Sequence, residues 1–450
     1  MNEKIFKAYD IRGSYPEELT EETAYKIGRA FAIYAKVNKI IVGRDTRLSS
    51  PSLTEAVIKG ITDAGVDVIN IGLCSTSCFY FTVGETKDCA GIMTTASHAP
   101  KKINGFKMVF GGNLSLIKEQ ILELKKIVLE NNFPTIANEG TAVNQDYSEN
   151  YIQAVRKNIR GKINPLKIVM DPGNGTAGLY IEKVFQNIGV SIVPIFFEPD
   201  GNFPNHETNP KIPENRIKLK EKILEEKADL GFMFDGDADR MYILDRNGDV
   251  IDPSLILAII GEYMIKNSEH KKKVVVEVRT SRIVRDWIEK IGGKVIISSC
   301  WTIPIKLEMK ADPEIAFGGE TSGHYIFPEL HETDDGIFAA LTFLQAISAK
   351  NESIDDILKK FREKYFVLEE TNFELTDMGE ADKILENLRN KYSAEGAEIL
   401  NVDGLSVVFP DWWFNIRKSQ AEPVIRLNLE AKSQKLMEEK RDELLNFIKK

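Results

Sequence analysis

The chain has 450 residues, 43% of them hydrophobic and 28% charged, which is enough to bury several cores and predicts three or four domains. Lys and Arg number 59 against 68 Asp and Glu, so the net charge of -9 argues against nucleic-acid and anionic-membrane partners while leaving room for local anion sites. The opening Met1-Asn2-Glu3-Lys4-Ile5-Phe6-Lys7 lacks the apolar core of a signal peptide, and no run approaches the ~18 apolar residues of a membrane span, so a cytoplasmic protein is expected.

In chain order, Glu21 to Lys36 has the spacing of an amphipathic helix, and Lys39-Ile40-Ile41-Val42 reads as a short buried strand. That strand delivers Gly43-Arg44-Asp45-Thr46-Arg47 before Ser50-Pro51 opens the next helix. The design recurs. Lys167-Ile168-Val169-Met170 delivers Asp171-Pro172-Gly173-Asn174-Gly175-Thr176 and a helix, and Lys273 to Val278 delivers Arg279-Thr280-Ser281-Arg282 and a helix. Three similar α/β domains with mixed, mostly parallel sheets are predicted, and polar loops at the strand carboxyl ends are the usual ligand sites. The last segment differs: Val367 to Leu375 is extended, Gly379 to Lys391 helical, Leu405–Val408 and Val424–Leu427 strand-like, and a final helix runs toward Lys450. We read it as a small α+β domain. The expected divisions are 1–148, 149–250, 251–366 and 367–450. Cys74, Cys78, Cys89 and Cys300 have no metal-type pairing, and the first two are one residue too far apart for a redox Cys-x-x-Cys, so they read as free thiols.

Four stretches carry chemistry. The first is Thr94-Thr95-Ala96-Ser97-His98-Ala99-Pro100, followed by Asn104-Gly105-Phe106-Lys107. Gly91-Ile92-Met93 reads as a strand end and Asn104-Gly105 as a turn, which would put Ser97 on a tight exposed loop. A serine oxygen needs a base for its proton and cations beside an incoming phosphoryl group, and His98 and Lys107 offer both. Taken alone, a Ser-His pair is more often a loop serine bonding its own turn.

The second stretch is Phe234-Asp235-Gly236-Asp237-Ala238-Asp239-Arg240, with a hairpin turn expected at Asn247-Gly248. Three alternating carboxylates repel one another unless a cation lies between them, and oxygen-only ligands suit Mg²⁺. Arg240 and Arg246 at the sixth and twelfth positions exclude an EF-hand. An apolar strand ending in Asp-x-Asp also allows Asp235 to be the nucleophile of an aspartyl-phosphate enzyme.

The third stretch, Gly318-Gly319-Glu320-Thr321-Ser322-Gly323-His324, lets the backbone turn tightly around oxygens able to bond sugar hydroxyls. The fourth, Arg417-Lys418-Ser419-Gln420-Ala421-Glu422-Pro423 with Arg426 beyond it, offers the donors a phosphate dianion needs.

In this order the stretches resemble the α-D-phosphohexomutase superfamily, most closely its phosphomannomutase/phosphoglucomutase members. Phe6-Lys7-Ala8-Tyr9-Asp10-Ile11-Arg12-Gly13 is similar to the family's opening motif, Gly43 to Arg47 to its next loop, and Pro199 to His206 adds a further similarity. The resemblance implies four domains around a central cleft, each lending a loop. It implies that Ser97 carries a phosphoryl group and that Mg²⁺ binds Asp235, Asp237, Asp239 and a phosphoserine oxygen. Arg12, Lys107 and Arg240 would stabilise charge, with His98 and Lys107 the candidates for proton transfer. Tyr9, Arg279, Thr302, Glu320, Ser322 and His324 would contact substrate, and Arg417, Ser419, Gln420 and Arg426 the phosphate that is not reacting. The implied activity interconverts hexose 1-phosphate and hexose 6-phosphate through a hexose 1,6-bisphosphate, by a monomer or homodimer.

Four positions depart from the family pattern: Ala99 and Ala421 replace a usual asparagine and threonine, Arg279 a frequent lysine, and Thr302 a frequent histidine. They keep a catalytically impaired sugar-phosphate-binding relative in view, beside two readings with other grounds, a phosphoglucosamine mutase and an aspartyl-phosphate phosphatase using Asp235. The phosphatase leaves Ser97 without a task.

Overall fold

The computed structural model describes residues 2–350, 352–375, 377–418 and 424–448. The chain forms two compact units that do not follow its linear order, one made of residues 1–251 and 322–349 and the other of 252–321 and 350–450.

The first unit is built on two sheets. In the larger, strands Cys89–Thr94, Lys39–Arg44, Asp67–Leu73 and Ala142–Asn144 run parallel, and Ile103–Phe110 and Ile11–Ser14 extend it antiparallel. Helix Glu21–Ala35 starts where Thr20 accepts the Thr23 amide, with Glu21 and Glu22 in its positive first turn, and it stops at left-handed Lys36. Its apolar face (Ile27, Ala30, Phe31) enters a core with Ile40, Val42, Val57 and Ile92. The smaller sheet orders Met241–Asp245, Leu230–Phe234, Leu166–Asp171 and Val190–Pro194, all parallel except the first pair. Leu230–Phe234 is buried at every position, as a central strand covered on both faces must be. Helix Gly336–Ser348 packs with it, and Phe343 meets Phe232 edge-on at 6.4 Å.

The second unit starts with parallel strands Lys294–Ser298, Lys273–Glu277 and Ile315–Gly319 among helices Pro253–Lys266, Ile283–Lys290 and Thr302–Ala311. It ends in a wholly antiparallel five-stranded sheet, Phe366–Glu374, Val424–Ala431, Trp412–Lys418, Leu405–Val408 and Glu398–Leu400, with helices Met378–Ala394 and Gln434–Ile448. The fold is therefore mixed α/β with mostly parallel sheets and a C-terminal α+β element, as the sequence predicts. All four cysteines are buried thiols. Among the described residues, no helix is long and apolar enough to cross a membrane.

Three local expectations are corrected. Asn104-Gly105 is not a turn: both lie inside strand Ile103–Phe110, opposite Gly13 and Arg12. The glycine is there for close approach, since a Cβ on Gly105 would stand 2.1 Å from the Ile11 carbonyl oxygen. The segment after Asp171 forms a short 3-10 turn, Thr176–Leu179, and a four-residue helix, Ile181–Val184, in place of a full helix. The Ser97 loop is tight but not exposed; Ser97 is only 2% accessible. The expected hairpin turn at Asn247-Gly248 is present, with the Gly248 amide donating to the Asp245 carbonyl at 2.8 Å.

Candidate active site

Strand Cys89–Thr94 ends where Ser97 turns into the left-handed region at φ 52°, a conformation that costs a residue with a side chain about 1–3 kcal/mol and persists only when its surroundings enforce it. The enforcement is visible. The Ser97 amide donates to Thr95 Oγ1 at 3.0 Å, and its carbonyl accepts from Arg47 Nη2 at 2.8 Å and Thr208 Oγ1 at 3.1 Å. Arg47, fully buried, also bonds the carbonyls of Ala99, Pro100 and Ile103 while its Nε faces Asp45 at 3.2 Å. One guanidinium thus fixes four carbonyls of the serine loop.

The loop after strand Leu230–Phe234 meets this turn. A Cβ on Gly236 would stand 2.9 Å from the Ser97 carbonyl oxygen, so only glycine allows the approach. Asp235, Asp237 and Asp239 are at most 1% exposed, and carboxylate oxygens of all three lie within 4.8 Å of one another. The Ser97 hydroxyl donates to Asp235 Oδ2 at 2.7 Å. Asp237 Oδ2 accepts from Lys107 Nζ at 2.7 Å, Thr76 Oγ1 at 2.6 Å and Thr95 Oγ1 at 3.2 Å, and Asp239 Oδ2 from Lys107 at 2.5 Å. Asp237 Oδ1 is buried without a hydrogen-bond partner among the described residues.

The cluster holds more negative charge than its neighbours offset. Burial, together with the charges of Asp239 and Asp237, pushes the Asp235 carboxyl well above the usual carboxylate range. For Asp239 burial acts in the same direction, but Lys107 and His324 outweigh it and hold the group well below that range. Lys107 is likewise disfavoured by burial yet kept charged by Asp237 and Asp239. The orphaned Asp237 oxygen, the strained ionisation of Asp235 and the all-oxygen donor set fit a hard divalent cation.

His98 Nδ1 lies 3.2 Å from Ser97 Oγ and is hydrogen-bonded by Arg240 Nη1. Burial, then the charges of Arg240 and Arg12, depress its pKa far below that of an ordinary imidazole, so the ring is neutral. Arg240 Nε bonds His324 Nε2 at 3.1 Å, and Ser322 Oγ pairs with His324 Nδ1 at 3.0 Å. Arg12 bonds Asp10 at 2.7 Å and leaves a buried Nε without a hydrogen-bond partner among the described residues. Tyr9 is half-buried.

The other expected residues lie in the second unit. Glu320, 4% exposed, accepts the Trp301 amide at 3.1 Å, and Thr302 opens helix Thr302–Ala311. Arg279 is bonded by Glu277 through Nε at 2.6 Å, and Glu277 Oε1 also accepts the Thr321 amide at 2.8 Å. Arg417 donates to Glu370 at 2.6 Å, and Arg426 lies 3.8 Å from the same carboxylate. Ser419 and Gln420 lie outside the described residues. The chain passes from the second unit to the first between Thr321 and Ser322, so the Glu320–His324 stretch contributes to both.

Sequence reasoning missed Thr76, Thr95 and Thr208, which bond the acid cluster and the serine loop, and it gave Arg47, Glu277 and Glu370 no role. Single threonines and glutamates carry no motif. Only Arg47, placed in a polar loop after a buried strand, had a signal to follow.

Four family models cover nearly the whole chain: phosphoglucomutase/phosphomannomutase alpha/beta/alpha domains I, II and III match residues 3–135, 147–248 and 252–365, and the family's C-terminal domain matches 370–447. The chain is 36% identical over 442 residues to a phosphoglucomutase of Neisseria gonorrhoeae, covering 96% of this chain and 94% of that one. It is 34% identical over 457 residues to a phosphomannomutase of Escherichia coli, covering 99% of each. A crystal structure of a phosphoglucomutase/phosphomannomutase family protein from Burkholderia thailandensis superposes with a TM-score of 0.90 at 30% identity, over 100% of this chain and 98% of that one. With a serine turned into a buried acid cluster, and with all four family domains matched in order, the chain belongs to the phosphoglucomutase/phosphomannomutase family.

Proposed function

We propose that this enzyme interconverts hexose 1-phosphate and hexose 6-phosphate, of mannose and glucose alike, through a phosphoserine at Ser97 and a hexose 1,6-bisphosphate. The observation that carries it is the Ser97 turn, whose hydroxyl meets Asp235 at 2.7 Å inside a buried three-carboxylate cluster. A phosphatase acting through Asp235 would need no such serine.

Asp235, Asp237 and Asp239, with a phosphoserine oxygen, would hold Mg²⁺. The ion would supply positive charge against the transferring phosphoryl group. The chain's own residues do the rest. Arg47 and Thr208 fix the Ser97 peptide, so the oxygen that gives and takes the phosphoryl group is placed before substrate arrives. Lys107 stays an ammonium and offsets phosphoryl charge; being already protonated, it cannot accept the hydroxyl proton. His98, neutral and next to Ser97, is the acceptor for that proton, and a phosphoserine dianion beside it would counter the two guanidiniums that depress its basicity. In the first transfer the bond from phosphorus to Ser97 Oγ breaks as one forms to the sugar oxygen, whose proton passes by way of His98 to Ser97 Oγ. After the bisphosphate has turned around, the bond from the other phosphorus to its sugar oxygen breaks as one forms to Ser97 Oγ, whose proton passes by the same route to that sugar oxygen.

Mannose and glucose differ only at C2. By the family resemblance Glu320 and Ser322 contact the C3 and C4 hydroxyls, so the site is blind to C2. Discrimination at C2 would need a dedicated polar partner worth about tenfold to a hundredfold. The test is kcat/KM for the glucose, mannose and glucosamine 1-phosphates under identical Mg²⁺ and bisphosphate. Glucose and mannose should be used within that range of each other, and a preference above about a thousandfold for any one sugar sinks the C2-blind reading.

A further inference from the structure

The second unit holds a group of charges opposite in sign to the acid cluster, converging on a carboxylate that no part of the reaction has used. Glu370, on strand Phe366–Glu374, accepts from Arg417 Nη2 at 2.6 Å and Asn428 Nδ2 at 3.4 Å. The same carboxylate stands 3.7 Å from Arg279 Nη1 and 3.8 Å from Arg426 Nη1. Arg279 already has a partner, since Glu277 takes its Nε at 2.6 Å and its Nη2 at 2.5 Å. Among the described residues, Glu370 therefore faces Arg417 and Arg426 as their principal counter-charge.

One planar carboxylate cannot satisfy that many donors. Arg417 is 6% exposed, yet its Nη1 has no hydrogen-bond partner among the described residues, and the same is true of Arg426 Nε. A buried guanidinium N–H without an acceptor is costly. A tetrahedral dianion with three free oxygens would use donors that Glu370 leaves idle.

We propose that Glu370 is an internal stand-in for phosphate, holding Arg417, Arg426 and Arg279 converged in the free enzyme and displaced by a phosphoryl group of the hexose phosphate. This rests on the reading of Arg417 and Arg426 as ligands of the phosphate that is not reacting. Burial disfavours ionisation of Glu370, but Arg417 and Arg279 outweigh it and hold the carboxyl below its ordinary range, so an anion occupies the position at neutral pH. Binding is then an exchange of one anion for another. Without Glu370, Arg417 and Arg426 would stand uncompensated beside the Glu277-paired Arg279 and would hold phosphate too tightly for a bisphosphate that must leave it and turn around in every cycle. Glu370 returns as phosphate departs and so assists release. Arg279 belongs to the span matching the third family domain and Arg417 to that matching the fourth, so the displaced carboxylate also unties a link between those two segments.

The test is calorimetric titration of inorganic phosphate into the full-length unphosphorylated protein, in a buffer without competing oxyanions, beside steady-state kinetics. Glu370→Gln should bind phosphate about tenfold or more tightly, because a charge-assisted competitor is gone. It should also lower KM and kcat together. Glu370→Asp keeps the charge and should stay near the wild type, and Glu370→Gln with Arg417→Gln should lose the gain, which ties it to this cluster. Thermal unfolding without phosphate checks that each variant is folded. Phosphate binding that is unchanged or weaker in folded Glu370→Gln overturns the proposal, because Glu370 would then hold the arginines in place permanently. The outcomes separate from those of the mutase reading. Tighter phosphate binding without any mutase turnover in the wild type would leave the displacement standing and remove the mutase, whereas turnover without the gain removes the displacement alone.

Discussion

The two charged clusters are mirror images. Around Ser97, three buried carboxylates outnumber the cations that touch them among the described residues, and there an oxygen of Asp237 is left without a donor. Around Glu370, three arginines outnumber their acids, and among the described residues nitrogens of Arg417 and Arg426 are left without an acceptor. Because burying an uncompensated charge is costly, each imbalance states the sign of what binds there: a cation at the first, an anion at the second. The net charge of -9 reveals neither.

The largest effect is expected from Ser97→Ala, which should lower mutase kcat on the order of 10⁴-fold or more while leaving phosphate binding at the arginine cluster intact. A loss of both would mean that the clusters are not independent. Chelation should act on the acid cluster alone, abolishing turnover reversibly. Asp237→Asn should raise the Mg²⁺ concentration needed for half-maximal rate and cut kcat about a hundredfold. Undiminished turnover after exhaustive removal of divalent ions would remove the cation from the account.

Arg47 and Arg417 offer a sharper contrast: both are buried and each leaves one nitrogen without a hydrogen-bond partner among the described residues, but Arg47 Nε still faces Asp45 at 3.2 Å while its other nitrogens hold four carbonyls, whereas Arg417 donates to a single carboxylate, Glu370. Arg47→Ala strands those carbonyls and Asp45 and should cost about 3–5 kcal/mol of stability, read as a lower Tm. Arg417→Gln leaves Glu370 facing Arg279 and Arg426, so it should lower Tm less than Arg47→Ala does, and it should raise KM. Equal effects on Tm would erase the distinction between an arginine that holds the fold and one that awaits a ligand.

The smallest effect concerns His206, whose Nε2 is 3.0 Å from buried Asp171. Burial works against the charged ring, but the Asp171 bond and charge outweigh it and lift its pKa above the ordinary 6.5. The sign follows: this contribution to stability is complete below pH 6.5 and is lost as pH rises through the lifted value. Denaturant unfolding of His206→Gln across that range should show a flatter pH dependence by about 1 kcal/mol or less, and an unchanged profile would contradict the assignment.

Much of this was legible in the sequence because the relevant signals are local. The apolar runs at Lys39, Lys167 and Lys273 are strands, and the Asp-x-Asp-x-Asp and Ser-His stretches do converge. What failed depended on distant partners. Asn104-Gly105 has turn propensity, but pairing with Ile11–Ser14 overrides it, and Asn104 bonds Ser49 and Ser50 across the fold. Ser97 looked exposed because nothing near it in sequence shows that Asp235 and Thr208 close over it from more than a hundred residues away. Glu370 is one of three acids in its strand, and its arginine partners lie 47, 56 and 91 residues away. No window of sequence contains that cluster.

The most direct test of the central claim is the location of the transferable phosphoryl group. The protein is incubated with glucose 1,6-bisphosphate and Mg²⁺, digested and mapped by mass spectrometry, then chased with glucose 1-phosphate. One phosphate is expected on the peptide containing Ser97, absent from Ser97→Ala and discharged to sugar by the chase. A phosphate on Asp235, or full turnover in Ser97→Ala, would contradict that expectation.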